Sequence, residues 1–269
     1  MPALPIPGPA LQPVDPAVDA ESGFIEFCQV SKSFGGHQVL KDVSFRVKRG
    51  ETACILGRSG VGKSVTLKLI MGFFQPDSGR IISAGHDITG WNEDQLTAIH
   101  KQITMVFQSG ALFDSLTVGE NVAFALRDHE DLDEEAIAAQ AGRYLDLLEV
   151  GGLRDQYPSD LSTGLRRAVA IARALAVQPA AILYDEPTTM VDPLMSRRIA
   201  GLIEKVKRQV KLTGIVVTHD TRLARRLADR LMFLHDGQLR FWGTVAELDA
   251  SRDPVLRDFW QKDEFTLAG

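Results

Sequence analysis

The sequence predicts an α/β fold of the P-loop NTPase type, built on a parallel sheet, and three observations lead to this class. Apolar strand candidates alternate with helix candidates, as in ETACIL (51–56), AAILYDEP (180–187) and GIVVTH (214–219). A glycine-rich loop follows the first of these strands and leads directly into a helix. From about 109 to 178 the strand signals stop and helical periodicity dominates, which predicts an inserted helical subdomain.

The elements follow in order along the chain. Residues 1–23 are proline-rich and lack the basic start of a signal peptide, so we expect a disordered leader. Residues 24–245 form the predicted main domain, which begins with two or three short strands around a turn at Gly35-Gly36. Residues 246–269 are assigned to a C-terminal extension. Periodicity and turn residues predict helices over 65–74, 93–102, 195–210 and 221–229, strands within 77–90 and over 103–108, and a hairpin over 230–243 turning at Asp236-Gly237.

Composition restricts the function classes. The 269 residues are 45% hydrophobic and 24% charged, which is typical of a globular protein. The net charge of −5 argues against a general attraction to nucleic acid, and no nucleic-acid partner is expected. No apolar run reaches the ~18 residues of a membrane span. Cys28 and Cys54 lack metal-ligand spacing and fit reduced thiols, although two cysteines could also form one bridge.

The loop after the first parallel strand has the spacing of a phosphate-binding loop. It reads Gly57-Arg58-Ser59-Gly60-Val61-Gly62-Lys63-Ser64 and fits G-x-x-x-x-G-K-[ST]. In such a loop the backbone N–H groups surround phosphate oxygens, Lys63 contacts the β and γ phosphates, and the Ser64 hydroxyl binds Mg²⁺. A glycine-rich turn could match by accident, but the strand before it and the helix after it favour the phosphate loop.

Two acids end the apolar strand AILYD. Asp185 is expected to hold Mg²⁺ at the carboxyl end of this strand, directly or through water. Glu186 is then placed to polarise an attacking water as general base. The alternative is a helix-capping acid pair before Pro187, which the preceding apolar strand and the phosphate loop make less favourable.

Two further strands end in polar residues at the same predicted edge. His219 follows IVVT and can hydrogen-bond a γ-phosphate, although a strand-end histidine is often structural. Gln108 ends ITMVF, and its amide could reach Mg²⁺ or the water. Open α/β sheets bind ligands at this edge, so the set predicts a nucleotide crevice.

Together these motifs resemble the ATP-binding-cassette ATPase family over about residues 24–245. The resemblance implies an antiparallel β subdomain beside the parallel core, ATP and Mg²⁺ as ligands, and ATP hydrolysis. It identifies 57–64 as the Walker A loop, Gln108 as the Q-loop glutamine, Asp185 and Glu186 as the Walker B pair, Asp192 as the D-loop aspartate and His219 as the switch histidine. It also matches Phe34 to the aromatic that stacks on adenine, for which a core aromatic is the competing interpretation.

The stretch LSTGLRRAVAIARAL (161–175) occupies the position of the family's LSGGQ signature. Ser162 can cap the helix, and Gly164 would let a phosphate approach its backbone. In the family that phosphate belongs to ATP held by a second, head-to-tail subunit, so a homodimer is expected. Thr163 replaces a glycine and adds a hydroxyl and a β-carbon beside the expected phosphate, so we expect it to affect the turnover rate more than binding. Leu165 replaces a glutamine, a change that is common among transport ATPases. Arginines 166, 167 and 173 stand between the apolar positions of this helix.

A narrower resemblance lies in FQSGALFDSLTVGENVAFALRDH (107–129) and DPVLRDF (253–259). Both are similar to the ATPases of Mce/Mla-type bacterial lipid transporters. This implies an integral-membrane permease and an Mce-domain protein as partners, phospholipid or a related lipid as cargo, and a peripheral location on the cytoplasmic face of the inner membrane. A coupling helix would contact the apolar residues Ala111, Leu112, Phe113, Leu116 and Val118, which could equally be subdomain core. The alternatives kept are a transporter of small polar solutes and a non-transport cassette ATPase.

Overall fold

The computed structural model describes residues 23–127 and 132–265, so the predicted leader lies outside the described residues apart from its last position. In chain order the strands are β1 (Ile25–Phe34), β2 (His37–Val47), β3 (Thr52–Leu56), β4 (Ser78–Ser83), β5 (His86–Asp87), β6 (Ile103–Val106), β7 (Ala181–Asp185), β8 (Thr213–Val217), β9 (Arg230–His235) and β10 (Gln238–Gly243). The helices are α1 (Lys63–Ile70), α2 (Glu93–Gln102), α3 (Val118–Phe124), α4 (Glu134–Leu147), α5 (Thr163–Ala176), α6 (Pro193–Val210), α7 (Thr221–Leu227), α8 (Val245–Asp249) and α9 (Pro254–Phe265).

An antiparallel sheet with strand order β2-β1-β4-β5 starts the domain. Both glycines of the predicted turn, Gly35 and Gly36, have positive φ, as a tight turn requires. Of the two or three strands expected around this turn the structure has two, because the apolar runs 38–40 and 43–48 both belong to β2. Asp42 has a φ of +48° between the two apolar runs, and the β1–β2 register shifts there. The interruption in the pattern is therefore an irregularity within one strand.

The parallel sheet has the order β10-β9-β3-β8-β7-β6, and β10 is its one antiparallel strand among the described elements. The β9–β10 hairpin turns at Asp236 and Gly237, whose φ angles of 50° and 76° fit the predicted turn. β3 therefore lies between β8 and β9, and β7 lies between β8 and β6. The carboxyl ends of four neighbouring strands, β3, β8, β7 and β6, meet at one edge of the sheet.

Strand alternation divides the core into two layers. Ala53 and Ile55 of β3 face the antiparallel sheet with α1 and α2, whereas Cys54 and Leu56 face the remaining helices. Cys28 and Cys54 are both free, as expected for reduced thiols. Burial raises the pKa of the Cys54 thiol to about 12, so this thiol is neutral at physiological pH.

The helices between β6 and β7 form the predicted helical region. Here α5 packs against α3 and α4 and also against β6, which ties this region to the parallel sheet. After β10, helix α9 contributes Leu256 and Trp260 to the core layer that also contains Cys54 and Leu56. Trp260 Nε1 donates a 2.7 Å hydrogen bond to the Asp249 carboxylate. Of the helices described, none is long and apolar enough to cross a bilayer.

Candidate functional site

The phosphate loop lies between the end of β3 and the start of α1. Gly57 has a φ of +152°, and a Cβ atom there would lie 2.6 Å from the carbonyl oxygen of Leu234. At Gly62, with a φ of +103°, a Cβ atom would lie 2.6 Å from Leu40 Cδ2. Gly62 is the N-cap of α1 and supplies no side-chain hydrogen bond, so the first N–H groups of α1 are left for an anion.

Lys63 is held inside the loop. Its side chain is 7% exposed, and Nζ donates hydrogen bonds of 2.9 and 3.1 Å to the carbonyls of Gly57 and Arg58. The same atom lies 3.5 Å from Oε1 of Glu186. The lysine charge therefore lies beside the carbonyl groups of the loop. It is balanced by the carboxylate of Glu186, the residue expected to act as base.

Ser64 and Asp185 form the part of the site suited to Mg²⁺. The Ser64 hydroxyl donates a 2.9 Å hydrogen bond to Oδ1 of Asp185. Burial raises the pKa of the Asp185 carboxyl, and the Ser64 hydrogen bond opposes that shift. The described residues contain no group of three or more His, Cys, Asp or Glu side chains able to hold a metal. Two hard oxygen donors are nevertheless the set that fits Mg²⁺, which keeps water and phosphate oxygens as its other ligands.

Glu186 is the centre of a hydrogen-bonded group. Its Oε2 lies 2.9 Å from Nδ1 of His219 and accepts a 3.0 Å hydrogen bond from the Thr189 hydroxyl. The backbone of Glu186 has a φ of +47°, a left-handed conformation that is uncommon for a residue other than glycine. Its carboxylate is thus aimed between His219 and Lys63 by a strained main chain.

Gln108 and His219 lie two residues beyond the strands that they were expected to end, since β6 stops at Val106 and β8 at Val217. Gln108 is exposed, and its main-chain carbonyl accepts a hydrogen bond from Arg167. Arg167 also donates to the carbonyl of Glu186, at 2.8 Å. Periodicity placed Arg167 among the polar positions of its helix, and that interpretation is wrong because its side chain is buried.

The signature stretch begins α5. The Ser162 hydroxyl accepts a 3.4 Å hydrogen bond from the N–H of Leu165, so the predicted cap is present. Gly164 is buried, and a Cβ atom there would lie 2.0 Å from Met195 Cγ. Packing within the chain therefore also favours a glycine here, in addition to the phosphate approach expected from the sequence. Thr163 is exposed, and its hydroxyl accepts a 3.3 Å hydrogen bond from Arg166.

Two further residues of the predicted site have contacts of their own. Asp192 caps α6, because its Oδ1 accepts hydrogen bonds of 3.1 and 3.0 Å from the N–H groups of Leu194 and Met195. Phe34 is 40% exposed and meets the ring of Phe74 edge-on at 5.0 Å. This exposure contradicts the competing interpretation of Phe34 as a core aromatic.

The structure therefore brings the phosphate loop, the acid pair and the switch histidine into one cluster. Its members are Lys63, Ser64, Asp185, Glu186 and His219. Gln108 joins through the main chain and Arg167. Phe34, Ser162, Gly164 and Asp192 lie on other elements. Sequence reasoning missed the roles of Arg167 and Thr189. An arginine among the apolar residues of its helix was the one sequence feature that could have pointed to Arg167, whereas Thr189 lies in an ordinary polar run.

Comparison with known proteins gives one consistent family. The model of the ABC transporter family matches residues 40–189, which include the phosphate loop, Gln108, the signature stretch and the acid pair. A sulfate/thiosulfate import ATP-binding protein of Synechococcus elongatus is 42% identical over 238 residues, covering 87% of this chain and 67% of that protein. The chloroplast protein Trigalactosyldiacylglycerol 3 of Arabidopsis thaliana is 35% identical over 252 residues, covering 87% of this chain and 72% of that protein.

Solved structures agree with these relatives. A dimeric ATP-binding cassette in a post-hydrolysis state, bound to ADP and phosphate, superimposes with a TM-score of 0.75 and 31% sequence identity. The match covers 82% of this chain and 98% of that one. The likeness therefore extends over most of the described fold as well as over the nucleotide motifs.

Proposed function

Because this chain belongs to the ABC transporter family and is the ATP-hydrolysing component of a transport system, we propose that its cargo is phospholipid or a related lipid. The observation that carries the cargo assignment is the segment 107–129, which resembles lipid-transport ATPases and presents apolar rings at the surface. Phe113 and Phe124 are 44% and 51% exposed and contact each other edge-on at 4.9 Å. The Arabidopsis relative is named after a glycolipid, trigalactosyldiacylglycerol, which is consistent with this cargo class.

ATP binding is the task of the phosphate loop. The backbone N–H groups of residues 57–64 and the Lys63 ammonium bind the β and γ phosphates, and Phe34 stacks on the adenine. Ser64, Asp185 and the Gln108 amide hold Mg²⁺, which supplies charge neutralisation at the phosphate oxygens when bound. The 2.9 Å hydrogen bond between Ser64 and Asp185 keeps the two oxygens that would hold the cation next to each other.

Hydrolysis is the task of Glu186 and His219. The Glu186 carboxylate accepts a proton from the attacking water, and His219, 2.9 Å away, orients it and contacts the γ-phosphate. The Thr189 hydroxyl donates a 3.0 Å hydrogen bond to the same carboxylate oxygen. Once the phosphates bind Lys63, its 3.5 Å contact with Glu186 weakens and the carboxylate is released to act as base.

The second half of each site comes from a second copy of the chain. Ser162 and Gly164 lie at the N-terminus of α5, where free N–H groups attract the γ-phosphate held by the partner. Asp192 lies in the loop that faces the same junction, and its neighbours Met190 and Leu194 are 83% and 76% exposed. Apolar side chains this exposed are expected where a partner covers them. ATP binding then closes the dimer, and hydrolysis opens it.

The permease binds the surface formed by Phe113 and Phe124. Of the five residues expected to contact a coupling helix, Val118 is buried in the core and Leu112 packs partly against it. Ala111 and Phe113 remain exposed, and Leu116 is half-buried. This chain lies at the cytoplasmic face of the inner membrane, and the motion of its dimer reaches the permease through this surface. A membrane-anchored Mce-domain protein completes the lipid-transport assembly.

A small polar solute is the second candidate cargo, because the Synechococcus relative is a sulfate/thiosulfate import protein. One preparation separates the two. The tagged chain is purified from its native membranes in mild detergent, and co-purifying proteins and lipids are identified by mass spectrometry. A permease with an Mce-domain protein and bound lipid supports lipid transport, whereas a permease without either overturns it. A chain with no membrane partner overturns both cargo assignments.

A pair of variants tests the docking surface in the same preparation. Replacing Phe113 and Phe124 together by aspartate is expected to lose the permease, because each charge would have to be buried on docking. The matched control replaces both by leucine, which keeps the surface apolar and is expected to retain the permease. Retention of the permease by the aspartate variant would contradict the assignment of this surface.

A further inference from the structure

Arg167 is a buried charged side chain to which the roles above assign no task. It is 2% exposed, and its Nη1 donates a 2.8 Å hydrogen bond to the carbonyl oxygen of Glu186. Its Nη2 donates to the carbonyl oxygen of Gln108. One guanidinium therefore joins three parts of the fold, namely helix α5, the loop after β6 and the end of β7.

The burial of Arg167 is costly in free energy. It lowers the pKa of the guanidinium, and the charge of Asp185 opposes that shift. Both hydrogen bonds go to neutral main-chain carbonyls, which do not balance the charge as a directly bonded carboxylate would. Even a buried ion pair can often be replaced by apolar residues of similar volume without loss of stability, so a buried charge is weak evidence of a stabilising role. Stability alone therefore does not explain an arginine at this position.

The two carbonyls belong to the residues whose placement matters most for hydrolysis. Glu186 has the strained φ of +47°, and such a conformation persists only where its surroundings fix it. The N–H of Glu186 donates a 2.9 Å hydrogen bond to the carbonyl of Val217, and Arg167 binds the carbonyl of Glu186. The main chain of Glu186 is thus fixed on both sides.

The helix that carries Arg167 also carries the signature stretch. Arg167 follows the N-cap Ser162 by five positions, about 7.5 Å along the axis of one continuous helix. Any displacement of the start of α5 therefore moves Arg167 and the two carbonyls that it binds.

We propose that Arg167 is a positioning residue that links the start of α5 to the base Glu186 and to Gln108 of the same chain. Contact of α5 with the partner's nucleotide would then adjust the base that acts on the chain's own nucleotide, so the two sites of the dimer influence each other. This inference rests on the proposed roles of Glu186 and of the α5 N-terminus. It adds a specific side chain through which they are coupled.

The test measures ATP turnover and nucleotide affinity of the full-length chain, purified with its membrane partner. Arg167→Gln removes the charge and the forked donor while keeping a polar side chain of similar reach. We expect kcat to fall roughly 10- to 100-fold, because small misplacements of a reacting group cost this much, while KM and the nucleotide Kd stay within about twofold. A raised KM with unchanged kcat would overturn the proposal.

A double-mutant cycle separates positioning from general damage to the fold. If Arg167 acts through Glu186, Arg167→Gln is expected to cause no further loss of turnover in a Glu186→Gln background. An equal loss in both backgrounds would contradict the proposal. If Arg167→Gln has normal turnover while Glu186→Gln is inactive, the role of Arg167 is refuted and the role of Glu186 as base is kept. Turnover retained by Glu186→Gln refutes the proposed base instead.

Two further variants guard against a folding defect. Lys205→Gln is the control, because Lys205 is a partly buried cation that donates a 2.8 Å hydrogen bond to the main-chain carbonyl of Leu147, away from both the nucleotide site and the docking surface. It is expected to keep wild-type kcat. Arg167→Lys keeps the buried charge but not the fork, so it is expected to fold like the wild type in thermal unfolding and still to show a reduced kcat. Full activity of Arg167→Lys would mean that holding both carbonyls is unnecessary.

Discussion

Gly164 and Met195 are packed so closely that a single added methyl group at Gly164 would lie 2.0 Å from Met195 Cγ and 2.9 Å from its Sδ. Gly164 is the second residue of α5, and Met195 belongs to the first turn of α6, whose cap is Asp192. The contact therefore fixes the signature stretch against the start of the helix that follows the acid pair. Gly164 is therefore needed for packing within the chain, and its proposed contact with a partner's phosphate is a second role.

Gly164→Ala is expected to lower the free energy of unfolding by about 1–3 kcal/mol, the cost of an overpacked contact. Met195→Ala removes the opposing side chain, so in that background the cost is expected to fall below about 0.5 kcal/mol. Urea unfolding of the four proteins measures both values. An equal cost in both backgrounds, or no cost in either, would show that the Met195 contact does not determine this position.

Glu186→Gln is expected to keep ATP binding and to reduce turnover by at least about 100-fold, because the amide cannot accept the proton of the attacking water. ATP should then trap a dimer visible by size-exclusion chromatography with light scattering. Glu149→Gln is a matched control, since Glu149 pairs with Arg198 at 3.4 Å on the surface. Substantial turnover in the Glu186 variant would remove this residue from the role of base.

Lys63→Ala is expected to weaken ATP binding itself. Losing a charge-assisted hydrogen bond of about 1.5–3 kcal/mol corresponds to a roughly 10- to 100-fold rise in Kd. Fluorescent-nucleotide titration measures the constant, with Lys101→Ala on the exposed end of α2 as control. Unchanged affinity in the Lys63 variant would be incompatible with a phosphate-binding loop.

Thr163→Gly is expected to raise basal ATP turnover, because the threonine adds a side chain beside the proposed contact with the partner's γ-phosphate. The hydroxyl of Thr163 also accepts a hydrogen bond from Arg166, so Thr163→Val is needed to separate bulk from hydrogen bonding. Valine keeps the bulk and should leave turnover low. If glycine changes nothing, the threonine is simply tolerated at this position.

Asp249→Asn tests how the C-terminal helix is attached. The Arg225 hydrogen bond, followed by that of Trp260, holds the pKa of the Asp249 carboxyl below its usual value of 3.8. A lowered folded-state pKa gives stability that is complete above the unfolded-state pKa and is lost as the pH falls through the folded-state value. The variant should therefore be less stable than the wild type by a constant amount between about pH 7 and 5, and the difference should shrink below about pH 4. Urea unfolding followed by tryptophan fluorescence measures this difference, and a difference that already shrinks between pH 7 and 5 would contradict the assignment.

The sequence by itself determined the parallel sheet, the phosphate loop and the acid pair. Their signals are local, because a strand, a glycine-rich turn and the start of a helix are encoded within a few neighbouring residues. Lys63 and Ser64 could be assigned from eight consecutive positions. The Asp236-Gly237 turn was likewise predictable, since the backbone angles it needs favour those two residue types.

Only the tertiary structure decided the contacts that join distant segments. Gly164 and Met195 are 31 positions apart, Arg167 is 59 positions from Gln108, and both relationships depend on how α5 lies against its neighbours. Helical periodicity gives the spacing of side chains around one helix but not the shape of the surface opposite each of them. Arg167 therefore has the sequence pattern of a solvent-facing residue, although it binds the main-chain carbonyls of Gln108, in the loop after β6, and of Glu186, just after β7. Packing places it in the core, where these two carbonyls are its hydrogen-bond acceptors.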